Sequence, residues 1–126
     1  PKKAAAAPVK KMAAAKAPVY MYYFDWYSPV HQGKVRAMHG VELPFVFDHV
    51  NESAYMIGNG ADRQALADKM SVAWVAFARS GNPNHKGLAH WPTFSSKDRA
   101  TMIFGHECRP ANDPHREERL ALEALR

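Results

Sequence analysis

Seven histidines and one cysteine are the side chains of this 126-residue sequence best suited to metal binding or nucleophilic chemistry. No two histidines have the i, i+4 spacing with which a helix presents a pair of zinc ligands. Cys108 follows His106 and Glu107, but no second histidine completes a zinc pattern there. We therefore expect no metal and no other cofactor, and we interpret Cys108 as a packing or surface residue. The remaining histidines are His31, His39, His49, His85, His90 and His115.

His39 differs from the other histidines in its setting, because its loop follows a segment with the pattern of a buried strand. α/β enzymes place general bases on loops at the carboxyl ends of sheet strands. His39 lies between Met38 and Gly40, and Glu42 follows three residues later. From these residues alone, a general base and a purely structural histidine both remain open.

A strand and a turn must position His39. Residues 19–26 (VYMYYFDW) are apolar on both alternating faces, which is typical of a strand covered on both sides in an α/β sheet. Residues 27–36 have the turn residues of a loop. Gly40 and Pro44 then bracket a short constrained turn, and residues 45–47 are expected to be buried.

The clearest helix is predicted over residues 62–79, where one apolar stripe recurs at helical spacing. Asn59 or Asp62 is expected to cap its start, and Gly81 is expected to end it. We interpret the stripe as core packing rather than as a ligand site. Its members are Leu66, Met70, Trp74 and Phe77.

Three further elements are predicted after this helix. Residues 82–94 form a long loop, which Trp91 and Pro92 are expected to pin. Residues 101–104 form a short strand. A final helix is expected to open at Asp113-Pro114, because Asp favours the N-cap and Pro the first helical position. Its expected docking stripe consists of Leu120, Ala121 and either Ala124 or Leu125.

The charge of the sequence is unevenly placed. Lys and Arg number 17 against 12 Asp and Glu, a net charge of +5. Residues 1–16 carry five lysines and no acid, so the remaining sequence is neutral. We divide the chain into a basic Ala/Lys-rich lead-in at residues 1–18 and a body at residues 19–126. The lead-in is interpreted as a solvated helix or linker, and a basic arm that contacts nucleic acid is the less favoured alternative.

Composition restricts the class of protein. A hydrophobic content of 47% is far above that of a disordered chain. No apolar run approaches the roughly 20 residues of a membrane-spanning helix. A single cysteine cannot form an internal disulfide, and the first residues lack the pattern of a signal peptide. Because a parent chain could begin elsewhere, the localisation stays open between cytoplasmic and secreted.

Several segments together resemble the C-terminal part of the type-B carboxylesterases, a family that also includes cholinesterases, para-nitrobenzyl esterases and neuroligin-like proteins. The resemblance rests on residues 37–47 (AMHGVELPFVF), residues 72–84, which contain AWVAFARSGNPN, and residues 90–94 (HWPTF). Residues 19–26 and Ser28-Pro29-Val30 resemble the strand and loop that precede the family's histidine. The similarity covers most of the chain.

The resemblance implies an α/β class chain, the C-terminal part of an α/β-hydrolase fold that is incomplete on its own. His39 matches the family's catalytic histidine, which would carry a proton from the nucleophilic serine to the departing alcohol. Glu42 matches a buried supporting glutamate of the same motif rather than the triad acid. The substrates implied are small-molecule carboxylic esters.

The sequence lacks the other parts of a serine hydrolase. None of its six serines lies in G-x-S-x-G, and no oxyanion segment or upstream triad acid is evident. We therefore expect this chain to be inactive alone, to form the closing third or less of a larger domain, and to need the remainder of that esterase domain as its partner. The alternative hypothesis is a non-catalytic, neuroligin-like protein-binding module.

Overall fold

The computed structural model describes residues 17–125 of the chain. The lead-in predicted at residues 1–18 lies almost entirely outside the described residues, so its interpretation stays a prediction. The described part contains a 3-10 turn at Val30–Gly33 and seven regular elements. In chain order these are β1 (Tyr22–Phe24), α1 (Leu43–Val46), α2 (Ala54–Ile57), α3 (Asp62–Ser80), β2 (Ala100–Phe104), β3 (Arg109–Asn112) and α4 (Arg116–Ala124).

The three strands form one mixed sheet in the order β1-β2-β3. β1 and β2 are parallel, with Tyr23 opposite Ile103, whereas β2 and β3 are antiparallel. A parallel pair needs a long crossover, and here the crossover contains α1, α2 and α3. The His39 segment therefore lies at the start of the connection that leaves β1.

β1 is shorter than predicted. Only Tyr22–Phe24 of residues 19–26 form a strand, and these three residues are half-buried rather than covered on both sides. The reason is that β1 has one sheet neighbour in the described part of the chain. The strand buried along its whole length is β2, and the strand predicted at residues 101–104 is thereby confirmed.

β3 was not predicted from the sequence. It begins with Arg109 and Pro110 and is largely exposed, so it lacks the apolar alternation that marks a strand. Proline is tolerated in an edge strand because a missing N–H group costs no ladder bond on the open side. β3 is such an edge.

The predicted long helix is confirmed within one residue of its expected end. Gly81 follows α3 in the left-handed conformation, with φ of 75°, and its N–H group donates to the carbonyl of Phe77. The expected side-chain cap is wrong: Ala61 is the N-cap residue and no side chain caps the helix. The Asp62 carboxylate instead accepts a hydrogen bond from Trp26 Nε1 at 2.9 Å.

The predicted stripe on α3 is only half correct. Leu66 and Met70 are buried in the core, but Trp74 is 44% exposed and Phe77 is 42% exposed. The buried face continues through Ala73 instead. Periodicity identifies an apolar face, but burial also requires an element that covers it, and within residues 17–125 the end of α3 is only partly covered.

The last helix also differs from the prediction. α4 begins at Arg116, after His115 in the left-handed conformation, and not at Asp113-Pro114. No α4 residue is buried, so the expected docking stripe is unpaired in the described part of the chain. Asp113 binds arginines instead of capping the helix, with Arg119 Nη2 at 2.6 Å and Arg99 Nε at 2.9 Å.

One hydrophobic core lies between α1, α3 and one face of the sheet. Phe45 is fully buried there, but Phe47 is 65% exposed, so the expectation that residues 45–47 are all buried is wrong. Trp91 is buried and anchors the 82–94 loop, as predicted. The largest fully buried core residues are Phe45, Phe104, Ile57, Met70, Met102, Val41 and Val50.

Candidate active site

His39 occupies the second position of a tight turn formed by residues 38–41. The N–H group of Val41 donates to the carbonyl of Met38 at 3.2 Å. Gly40 has φ of +81°, whereas His39 has an ordinary negative φ. A positive φ at the third position alone is the signature of a type II turn and strongly favours glycine. The sequence order His-Gly therefore determines how the imidazole is presented.

Both ends of this turn are attached to the core. Val41 is fully buried, and Met38 packs against the same core cluster. The next turn begins at once, because Leu43 N–H donates to the carbonyl of Gly40 at 3.2 Å, and α1 follows. His39 itself is exposed at the tip. An anchored turn thus holds an imidazole that faces outward.

Within residues 17–125 no hydrogen bond or ion pair involves the His39 side chain. Other histidines have structural partners: His85 Nε2 lies 3.0 Å from the Lys69 carbonyl, and its Nδ1 accepts from Gly87 N–H. His106 lies 3.7 Å from the Asp62 carboxylate. His31 and His49, the nearest alternatives to His39, are exposed.

Glu42 is half-buried and precedes α1, where its backbone carbonyl accepts from Phe45 and Val46 N–H groups. Its carboxylate lies near Tyr22 of β1. Burial raises the pKa of the Tyr22 phenol, and the charge of Glu42 raises it further. In the described residues the Glu42 side chain is not hydrogen-bonded to His39.

Two buried polar residues stabilise the neighbouring loops by hydrogen bonds to the backbone. This role was not predicted from the sequence for either of them. Ser28 Oγ donates to the carbonyl of Met56 at 2.7 Å and accepts from Val30 N–H. Arg63 Nη1 donates to the carbonyl of Val50 at 2.6 Å. Arg63 lies three residues before Leu66 on the same helix face, and that spacing could have indicated its burial.

The described residues offer little else for chemistry. Cys108 is half-buried, with its Sγ 3.9 Å from the carbonyl of Gly105. No group of three or more His, Cys, Asp or Glu side chains in residues 17–125 is arranged to hold a metal ion. No helix of the same residues is long and apolar enough to span a bilayer.

An open apolar cleft of about 100 Å³ lies beside β1, between the strand and the end of α3. Its wall is built from edge-to-face aromatic pairs, with Tyr20 and Phe77 centroids 6.1 Å apart and Tyr22 and Trp74 centroids 6.3 Å apart. We call it the aromatic cleft. Its lining residues are Tyr20, Tyr22, Ala73, Trp74, Phe77, Pro83 and Trp91.

A model of the carboxylesterase family matches residues 3–122. The chain belongs to the carboxylesterase family. Among the relatives of this carboxylesterase-family chain, the phenmedipham hydrolase of Pseudarthrobacter oxydans is 34% identical over 117 residues. The aligned region includes 89% of this chain and 24% of that protein. The para-nitrobenzyl esterase of Bacillus subtilis is 34% identical over 116 residues, covering 84% and 22%.

Solved structures of esterases resemble the chain in three dimensions. A thermophilic para-nitrobenzyl esterase superimposes with a TM-score of 0.79 at 33% identity, covering 90% of this chain and 23% of that one. The carboxylesterase EST55 of Geobacillus stearothermophilus gives a TM-score of 0.76 at 37% identity, with the same coverage. This carboxylesterase-family chain therefore has part of an α/β-hydrolase fold, as predicted, and it spans about a quarter of the length of these relatives.

Proposed function

We propose that this chain contributes the general base of a serine carboxylesterase, with His39 as that base and small-molecule carboxylic esters as substrates. One observation supports the proposal above the others. In a carboxylesterase-family chain, the type II turn holds His39 outward from an anchored position, with its imidazole free of any partner in the described residues.

The proposed chemistry assigns one role to this chain. The neutral imidazole of His39 accepts the proton of a serine hydroxyl as that oxygen attacks the ester carbonyl, and the imidazolium returns the proton to the departing alcohol. A water molecule repeats the cycle and releases the acid. The serine, the triad acid and the oxyanion donors belong to the remainder of the esterase domain, which this proposal places upstream.

Glu42 is proposed as a positioning residue. It is not proposed as the triad acid, because no hydrogen bond joins it to His39 in the described residues. Its half-buried place directly after the histidine turn, with its backbone carbonyl bonded to the first turn of α1, supports a role in fixing the orientation of that turn. A Glu42→Gln substitution is expected to lower turnover far less than loss of His39.

A chimera tests the proposal. This chain replaces the matching quarter of the Bacillus subtilis para-nitrobenzyl esterase, and turnover of a chromogenic short-chain ester is measured. His39→Ala is expected to lower kcat by at least about 10⁴-fold, because triad members act as a unit. The matched control is His49→Ala, another exposed histidine ten residues further along.

Three outcomes are distinguishable. Loss of turnover with His39→Ala but not with His49→Ala supports the proposal. Retained turnover with His39→Ala assigns the base to another residue. A folded chimera with intact His39 and no turnover contradicts the catalytic hypothesis and favours the protein-binding alternative.

A further inference from the structure

One buried residue, Ser28, closes the loop that connects β1 with the His39 turn. The backbone N–H group of Ser28 donates to the carbonyl of Arg36 at 3.2 Å, so that residues 28–36 form a closed loop. Two residues before Ser28, Trp26 is buried in the core and fixes the start of this loop. Arg36 lies only three residues before His39. The bond between Ser28 and Arg36 therefore determines where the chain enters the His39 turn.

The side chain of Ser28 attaches the same loop to α2. Ser28 is fully buried, and its Oγ donates to the carbonyl of Met56 at 2.7 Å. The same oxygen accepts a hydrogen bond from the N–H group of Val30 at 3.3 Å. A buried hydroxyl is stabilising only where its partners are present, and here it has a donor and an acceptor. With its backbone bond, Ser28 makes three hydrogen bonds that connect both ends of the loop with α2.

The 28–36 loop needs such attachments because its backbone conformation is locally unfavourable. His31, Gln32 and Arg36 have φ of 51°, 58° and 48°. The left-handed region is disfavoured for residues that carry a Cβ atom. A backbone in such a conformation persists only where contacts from the surrounding structure hold it. The shape of the loop therefore depends on Ser28 and on α2.

A second contact, separate from the Ser28 hydroxyl, holds the loop against α2. Gly58 directly follows α2 with φ of +70°, and a Cβ atom at this position would lie 2.8 Å from Pro29 Cγ. Only glycine permits so close an approach of the proline ring. α2 thus contacts the loop at two adjacent residues, Ser28 and Pro29.

We propose that Ser28 is a positioning residue for His39, because it holds the 28–36 loop against α2 and so fixes the orientation of the histidine turn. Ser28 takes no part in proton transfer and acts through the backbone of residues 36–38. The effect on catalysis rests on the proposed function of His39, whereas the structural link rests on the hydrogen bonds of the loop. Orientation matters because a general base must lie within hydrogen-bond reach of the proton that it accepts.

Kinetics of the chimera test the effect on catalysis. Ser28→Ala is expected to lower kcat about 10- to 100-fold and to leave KM unchanged, measured per folded molecule well below the melting temperature. Gly58→Ala displaces Pro29 and leaves the hydroxyl in place, and it is expected to lower kcat as well. Ser80→Ala is the matched control, because Ser80 Oγ also donates to a backbone carbonyl, that of Ala76 at 2.8 Å, at the exposed end of α3. Its kcat should not change.

Hydrogen exchange tests the structural link without using turnover. The N–H group of Val41 donates to the carbonyl of Met38 and closes the His39 turn. Ser28→Ala is expected to raise the exchange rate of the Val41 amide at least about 10-fold, because the turn opens more often when the loop before it is released. The Gly81 amide, which donates to the Phe77 carbonyl at the end of α3, is the reference and should keep its rate.

The outcomes separate this proposal from the proposed function. In a chimera whose turnover depends on His39, an unchanged kcat of Ser28→Ala or an unchanged exchange rate at Val41 overturns the role of Ser28. An equal rise in exchange at Val41 and Gly81 also overturns it, because the substitution would then only destabilise the whole fold. If Ser28→Ala does not fold, the same two measurements on Gly58→Ala decide. Turnover retained by His39→Ala contradicts only the proposed function, because the exchange at Val41 does not depend on which residue is the base.

Discussion

Trp91 and Met21 are 70 residues apart in sequence, yet the indole Nε1 of Trp91 donates a hydrogen bond to the backbone carbonyl of Met21 at 3.0 Å. This bond attaches the 82–94 loop to the residue before β1. Asn84 supports it from the other side, because its amide bonds both backbone groups of Trp91. Trp91 is therefore one of two attachments of the loop beside β1, the other being Phe94 N–H, which donates to the carbonyl of Val19 at 2.7 Å.

Replacing Trp91 is expected to destabilise the chain. Trp91→Phe removes the hydrogen bond to Met21 and leaves space in the core, at a combined cost of about 2 kcal/mol in the free energy of unfolding. The measurement is urea denaturation of the chimera. Tyr55→Phe is the control for a conservative change at a ring that is 77% exposed, and an equal cost for both would show that neither the Trp91 bond nor its burial stabilises the fold.

Gly40 is expected to tolerate few substitutions. The new Cβ of Gly40→Ala would meet no steric clash, since the nearest atom is Leu43 Cδ1 at 3.9 Å. The strain comes from the backbone, because the alanine would have to adopt a φ of +81°. The cost is about 1 kcal/mol, and turnover should fall as His39 is displaced. Gly40→Asn should cost less, because asparagine adopts this conformation more readily. If Gly40→Ala changed neither the free energy of unfolding, measured by urea denaturation of the chimera, nor its turnover, the type II turn would be contradicted.

Asp113 is expected to make stability depend on acid pH. Hydrogen bonding to Arg119 is the main cause that lowers the Asp113 pKa from 3.8 to about 2. Because the folded pKa is the lower one, the stabilisation is complete above about pH 4 and is lost as the pH falls through about 2.

The check compares urea midpoints of the chimera with and without Asp113→Asn between pH 5 and pH 2. The variant should be less stable at pH 5, since Arg99 and Arg119 lose a charged partner. The difference should shrink as the pH approaches 2. A difference that stays constant over this range would show that the Asp113 charge does not stabilise the fold.

The isolated chain is expected to self-associate in a concentration-dependent way. The open edge of β1 and the exposed rings of Trp74 and Phe77 both promote association. Phe77→Lys should reduce association in sedimentation velocity, whereas Tyr55→Lys should not. A cooperative thermal transition of a monomeric 126-residue chain would contradict the interpretation that it is part of a larger domain.

The sequence determined the local elements and the family. The apolar spacing from Leu66 to Met70 and the glycine at position 81 predicted α3 almost to the residue. Residues 101–104 predicted β2. The AMHG turn and the HWPTF segment carried a resemblance that the family match confirms. The two elements depend on backbone preference and periodicity, which are encoded within a few neighbouring residues, whereas the family rests on the resemblance of the motifs.

Only the tertiary structure decided which apolar residues are covered. Trp74 and Met70 belong to the same sequence stripe, yet Met70 is buried and Trp74 is 44% exposed. β3 lacks the apolar alternation of a strand and forms because its backbone pairs with β2. Burial and strand pairing depend on elements far along the chain or beyond residues 17–125, so a local pattern cannot determine them. His39 shows both contributions. The glycine that follows it determines the type of turn, whereas the exposure of its side chain depends on which other parts of the fold pack against that turn.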